Sequence, residues 1–332
     1  MTTPPVPTTE QAVALDHVRA AAARLAAVAV ITPVMRAPVL DDHTGGHVLI
    51  KCENLQRTGS FKFRGAYNAL ACLPAEQLAR GVIAFSSGNH ALAVATAAAM
   101  LNTTALIVMP ADAPPTKLAA VKHLGATVVT FDRYTDDRFT LTNQLATEHG
   151  LTLIPPYDHH DVIAGAATTT LQLLEQTGPV DVLVLPLGGG GQLAGAGVVT
   201  AALAPSTRLI GVETATGDKN RQSLQAGRRV RIPVPRTIAD GVTGEIPGEL
   251  TFPLIQRHVD EILVVDDEEI TAALTVVFGQ LKLVVEPSGA LAAAAVLAGR
   301  VNAPGQRTAV VLSGGNIDLA RLHTLLHPRP LN

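Results

Sequence analysis

The apolar positions of this chain fall into short continuous runs. Runs rich in Val and Ile occupy residues 47–52, 82–85, 104–109, 127–131, 151–154, 182–185, 208–212, 262–265 and 308–312. Most lack the every-second-residue alternation of a half-buried strand. They therefore predict strands covered on both faces, as in a parallel sheet. Between them lie Ala- and Leu-rich stretches long enough for crossover helices, among them residues 90–101, 115–123 and 138–149. Strands alternating with helices predict an α/β architecture. Four strand–helix units fall between about residue 82 and Pro155-Pro156, where consecutive prolines disfavour helix. This suggests a small α/β domain, residues 82–157, inserted into a larger one made of residues 1–81 and 158–332.

Composition narrows the class. With 25 basic and 28 acidic residues in 332, no long like-charge run, 3% aromatics and no Trp, nucleic acid is not an expected partner. A hydrophobic content of 47% supports a sizeable core. Cys52 and Cys72 make neither a disulfide framework nor a zinc cluster, and the N-terminus lacks the pattern of a signal peptide. A cytoplasmic location is expected. The uncharged stretch 182–204 is long enough for a membrane span, but Pro186 and the glycines after it divide it into a strand, a turn and a helix.

Four local patterns could carry chemistry. The first is Gly188-Gly189-Gly190-Gly191, between a buried strand and a helix. Such glycines let backbone N–H groups converge on an anion at a helix N-terminus, and a phosphate is the obvious guest. A tight turn alone would need fewer. Gly189-x-Gly191-x-x-Ala194, with Glu213 at the end of the next strand, also fits a dinucleotide fingerprint and would make the chain a nicotinamide-dependent oxidoreductase. The second pattern, Ser60-Phe61-Lys62-Phe63-Arg64-Gly65, puts a lysine between two aromatics. Apolar packing lowers an amine's pKa and improves it as a nucleophile toward a carbonyl. A snorkelling surface lysine would look the same. The third, Ser86-Ser87-Gly88-Asn89-His90, opens an Ala-rich helix and could cap it or cradle a carboxylate. The fourth delivers Ser313 from a strand into a glycine turn.

Together these patterns resemble the fold type II pyridoxal-phosphate enzymes, specifically the serine/threonine dehydratase and serine racemase family. The resemblance runs from about Ile31 to Leu319, and VIAG at 162–165, TIADGV at 237–242 and EPSGA at 286–290 add to it. It implies a tryptophan synthase β-like fold of two open, twisted, mainly parallel-sheet domains, with pyridoxal 5'-phosphate as cofactor. Lys62 would carry the cofactor as a Schiff base and Phe61 would lie against its ring. Asn89 would bond the ring's phenolic oxygen, Gly188 to Gly191 would hold the phosphate, and Ser313 would face the pyridine nitrogen. Gly241 and Glu286 would complete the cofactor site. Ser86, Ser87, Gly88, Asn89 and His90 would surround the substrate carboxylate, with Ser87 on the face opposite Lys62 and Arg138 near the substrate's distal end. A neutral serine at the pyridine nitrogen makes a weaker electron sink than an aspartate would, which suits β-elimination, with Lys62 as the base at Cα.

The expected activity is dehydration of L-threonine or L-serine to a 2-oxo acid and ammonia. Serine racemisation and dehydration of another β-hydroxy amino acid such as 3-hydroxyaspartate are the alternatives, and a nicotinamide-dependent oxidoreductase is a remote one. A homodimer or homotetramer acting on a small amino acid is expected. Only a short tail follows Asn316, so no regulatory module of the kind found in biosynthetic threonine dehydratases is expected. Leu92 replaces an amide-bearing residue of the family, and Ala164-Gly165-Ala166-Ala167-Thr168 departs from a more polar stretch. In relatives a divalent cation, magnesium or calcium, sits near the phosphate loop. Glu213 and the Gly217 carbonyl match two of its ligands, but Lys219 falls where a second carboxylate is expected. Either Lys219 supplies its own charge in place of the ion, or the register slips by one and Asp218 is the ligand.

Overall fold

The computed structural model describes residues 13–86, 88–113, 115–132 and 135–327. Its strands are β1 (Val34–Arg36), β2 (His47–Cys52), β3 (Val82–Phe85), β4 (Ala105–Pro110), β5 (Thr127–Phe131), β6 (Thr152–Leu153), β7 (Val182–Pro186), β8 (Arg208–Thr214), β9 (Glu261–Val265) and β10 (Arg307–Leu312). Six of them form a sheet in the order β1-β2-β10-β7-β8-β9, and four form a second in the order β5-β4-β3-β6. Every pairing is parallel except β1 with β2. The chain is thus an α/β protein with two mainly parallel sheets.

The continuous apolar runs have the expected cause. Val182 and Val184 enter one core of the larger sheet, and Leu183 and Leu185 enter the other. Helices Pro38–Thr44, Asp267–Gly279 and Pro287–Leu297 cover the first face. Helices Leu15–Leu25, His160–Thr177, Gly191–Leu203 and Thr251–His258 cover the second. In the smaller sheet, β5 lies at the edge and is partly exposed, unlike the buried strand that its apolar run suggests. Strand β1 was not foreseen: it has three half-exposed or exposed residues and no apolar run.

Two contacts position the site. The amide of Phe61 donates to the Ser313 carbonyl at 3.0 Å, and Ser60 bridges to Gly314. Segments distant in sequence, one leading to Lys62 and one leaving β10, are thereby pinned together. Helix Lys62–Ala71 then crosses helix His160–Thr177 at two glycines. A Cβ on Gly165 would fall 2.5 Å from the Arg64 carbonyl oxygen and 2.8 Å from Gly65 Cα. No larger residue permits this approach without backbone movement.

Candidate active site

A cavity of about 210 Å³ gathers Phe61, Lys62, Ser86, Gly88, Asn89, His90, Arg138, the four glycines 188–191, Gly241, Glu286 and Ser313. Ser87 lies outside the described residues. Glu213 and Gly217 do not line the cavity, and neither does Leu92, which is half-buried against the core of the smaller sheet. The Ala164–Thr168 stretch, including Gly165, is likewise buried helix packing and not a cavity wall. The two departures from the family pattern therefore lie away from the cavity.

Lys62 sits at the start of its helix, with Nζ donating to the Pro156 carbonyl at 2.6 Å and 5.0 Å from the centre of the Phe61 ring. Burial pushes its pKa down to about 8. The ammonium loses hydration there and, among the described residues, has no carboxylate partner to compensate. A lysine of this kind is a usable nucleophile and base near neutral pH.

Across the cavity, the glycine turn is organised from behind. Asn220 Nδ2 donates to the Gly188 carbonyl at 2.9 Å and Thr251 Oγ1 to the Gly189 carbonyl at 2.8 Å. In a trans peptide the N–H points opposite to the C=O. The amides of Gly189 and Gly190 are thus turned away from those side chains, and among the described residues they have no protein acceptor. Gly190, at φ +97°, caps helix Gly191–Leu203, whose first turn adds further N–H groups. A Cβ there would meet Ile255 Cδ1 at 2.7 Å. Gln192, also on the wall, is 4% exposed with both polar side-chain atoms lacking a partner. This donor set fits a phosphate.

Between lysine and glycines lies a polar floor. Asn89 Nδ2 donates to Glu286 Oε1 in a short hydrogen bond, and Asn316 Nδ2 donates to Asn89 Oδ1 at 2.8 Å. One of the two Asn89 N–H bonds is committed, leaving the other for a ligand. Burial pushes Glu286 up to about 7. His90 Nε2 lies 2.8 Å from the Ile154 carbonyl, and burial, with the Lys62 charge adding to it, pushes the ring down to about 3. The imidazole is therefore neutral. It spends its N–H on Ile154, and Nδ1 is left as an unpartnered acceptor. The ring therefore has no N–H left to offer a carboxylate.

The residues around Glu213 do not fit a divalent cation. Lys219 Nζ lies 3.2 Å from Glu213 Oε1 and 3.5 Å from the Val242 carbonyl, and both side chains are fully buried. The carboxylate also accepts from the amides of Asn220 and Arg221 and from Asn220 Nδ2. Asp218 Oδ1 is held by Gln222 Nε2 at 2.6 Å, so the register does not slip. Gly217 belongs to the turn after β8, with its amide on the Thr214 carbonyl. Hard cations need several oxygen ligands, and an ammonium supplies none. Among the described residues, no group of three or more His, Cys, Asp or Glu could hold a metal ion. The same ion pair removes Glu213 as a ribose-binding acid.

The family model described as pyridoxal-phosphate dependent enzyme matches residues 27–314. This chain belongs to the fold type II pyridoxal-phosphate enzymes. Pyridoxal 5'-phosphate is its cofactor, and the nicotinamide reading falls. The enzyme is 49% identical over 306 residues to an L-threo-3-hydroxyaspartate ammonia-lyase from Pseudomonas sp, with 92% of this chain and 96% of the relative covered. It is 46% identical to the protein of the same name from Saccharomyces cerevisiae, covering 89% of this chain and 90% of that one. The structure of maize serine racemase superposes with a TM-score of 0.90 at 37% identity, covering 95% and 97%. The enzyme is an ammonia-lyase of the serine/threonine dehydratase type. Among the described residues, no helix is long and apolar enough to cross a membrane.

Sequence reasoning missed several lining residues: Phe85, Lys117, Pro156, Tyr157, Gln192, Asp240, Thr243 and Ser288. Pro156 was visible only as punctuation. Tyr157 packs so tightly on the glycine turn that a Cβ on Gly189 would overlap its ring at 2.2 Å. An aromatic beside a proline pair gave no such signal.

Proposed function

We propose that the enzyme removes ammonia from L-threo-3-hydroxyaspartate, leaving oxaloacetate, in preference to acting on L-threonine or L-serine. The sequence put threonine and serine first. The two relatives above, both named for hydroxyaspartate, move the dicarboxylic substrate ahead. The structural observation that carries this reading is Arg138. It lines the cavity, and its guanidinium lies over the Phe85 and Phe139 rings at 5.5 and 4.9 Å. A cation on this wall suits a substrate with a second carboxylate.

When bound, the cofactor supplies the sink for the electron pair left as the Cα–H bond breaks. Lys62 Nζ is the base that takes the Cα proton. Its low pKa leaves a substantial neutral fraction near pH 8. The Gly189 and Gly190 amides and Gln192 hold the phosphate, while Asn89, oriented by Glu286 and Asn316, fixes the ring. The amides of Asn89 and His90 at the start of helix Asn89–Met100 receive the α-carboxylate, while the Gly88 amide donates to Ser86 Oγ at 3.1 Å. Loss of the β-hydroxyl gives an enamine, and hydrolysis of its imine form yields oxaloacetate and ammonia.

The deciding experiment compares 2-oxo acid release from L-threo-3-hydroxyaspartate, L-threonine and L-serine by the purified enzyme. A kcat/KM at least about tenfold higher for the first is expected; parity, or a preference for threonine, overturns the reading. Racemisation is a second activity, favoured by the likeness to maize serine racemase. It needs a proton donor opposite Lys62, the place that the sequence assigns to Ser87.

A further inference from the structure

We propose that Lys117 is a specificity-determining residue, whose ammonium receives the distal carboxylate of a dicarboxylic amino acid. This rests on the hydroxyaspartate reading and names the group that enforces it. Lys117 lies in helix Pro115–His123, beside the smaller sheet, and reaches across the cleft to Asp240, which follows β8 and lies beside the larger sheet. Its Nζ is 3.5 Å from Asp240 Oδ2, and its side chain is only 15% exposed. It lines the same cavity as Lys62. A Cβ on Gly88 would fall 3.6 Å from Lys117 Nζ, so the charge hangs over the N-terminus of the helix proposed to take the α-carboxylate. A molecule seated there carries its far end past Lys117.

The ion pair with Asp240 is a loose one, since the two groups make no hydrogen bond among those of the described residues. Asp240 also has a second cation, Arg321 Nη1, at 3.5 Å from the same oxygen. Lys117 can therefore turn to a substrate carboxylate while Arg321 still neutralises Asp240. Arg138, whose guanidinium lies over two aromatic rings, adds a second positive charge to the same cavity. The neighbouring Thr116 Oγ1 donates to Asp318 at 3.0 Å, which docks this end of the helix across the cleft and fixes the lysine's base. A monocarboxylic substrate such as serine has nothing to offer the ammonium and leaves it on Asp240. A dicarboxylic one replaces a long ion pair with a charge-assisted hydrogen bond in a largely enclosed site.

The test is Lys117→Met in the holoenzyme, with kcat/KM measured on L-threo-3-hydroxyaspartate and L-serine. A loss of about 10–100-fold is expected on the first, the scale of a hydrogen bond to a charged group, and less than about threefold on the second. Lys117→Arg should restore part of the preference. Equal losses on both substrates would place Lys117 at the α-carboxylate and overturn the proposal. Asp240→Asn breaks the same ion pair but leaves the ammonium free, so it should keep or raise the preference for hydroxyaspartate. If it mimics Lys117→Met, the lysine acts only as a latch between the two sheets and the proposal fails. A second arm needs no turnover: succinate and butyrate compete for the site, read from the cofactor absorbance. Wild type should favour succinate and Lys117→Met should lose that preference; a preference unchanged by the substitution overturns the proposal. If wild type ignores hydroxyaspartate but this preference depends on Lys117, the substrate reading fails while the residue assignment stands.

Discussion

The ammonium of Lys219 lies 3.2 Å from the carboxylate of Glu213, both fully buried behind the glycine turn. Burial pushes Glu213 up, and the lysine charge opposes this. The adjacent Asn220 links the pair to the Gly188 carbonyl, and Lys219 itself reaches the Val242 carbonyl beside Gly241. The Glu213 carboxylate is thus neutralised by a covalently attached cation. Activity and melting temperature should be indifferent to EDTA and to added magnesium. Lys219→Asp sets two buried carboxylates together and should be unstable without a cation, with magnesium or calcium raising its melting temperature. Wild-type melting that falls in EDTA and recovers with magnesium would refute the substitution of lysine for metal.

Lys62→Ala should abolish the visible absorption band of the lysine-linked cofactor. It also removes the base at Cα, a loss typically worth ~10²–10⁴ in rate. Absorbance after desalting, together with turnover, checks both roles. A band and near-wild-type turnover in the variant would remove Lys62 from the chemistry.

The depressed pKa of Lys62 makes a pH prediction. Only the neutral amine attacks the cofactor aldehyde, and it predominates above the folded-state value of about 8 instead of the usual 10.5. The rate at which apoenzyme takes up pyridoxal phosphate should therefore rise with pH and level off with a midpoint near 8. Stopped-flow absorbance across pH 6.5–10 reads it directly. A rise continuing beyond pH 10 would show an ordinary, solvated lysine.

Most strands of both sheets were legible because burial on two faces demands consecutive apolar residues, as Val182–Leu185 shows; the exposed edge strand β1 was not. The cofactor-facing turns were legible because their glycines serve backbone geometry, which few other residues satisfy. The carboxylate pocket was only half legible. Asn89 and His90 sit at the cavity, but the fate of the His90 proton depends on Ile154, a partner 64 positions away. Lys117 and Asp240 were invisible for the same reason: each is an unremarkable charged residue on its own segment, and only folding sets them 3.5 Å apart. Glu213 could be read as a metal ligand or a ribose-binding acid until the position of Lys219 was known.

The last prediction concerns the support beneath Lys62. Arg64, two residues along the same helix, is buried against Glu53, with Nε on Oε2 at 2.7 Å and Nη2 on Oε1 at 2.8 Å. Gln172 and Thr168 accept from the same guanidinium, and Thr32 Oγ1 donates to Glu53 at 2.6 Å. Burial alone would push Glu53 up, but the Arg64 charge and these hydrogen bonds outweigh it and hold the carboxyl below its usual range. The pair's contribution is therefore present above the ordinary carboxylate pKa and lost as pH falls through the lower folded value. Arg64→Met strands a buried carboxylate and should cost about 3–5 kcal/mol in urea denaturation at pH 8. With its partner gone, Glu53 gains affinity for a proton. The deficit should then shrink at pH 5, where a neutral carboxyl is easier to bury, and Glu53→Gln in the same chain should recover part of it. A deficit that is independent of pH, and not relieved by Glu53→Gln, would mean that Arg64 supports the lysine helix through packing alone.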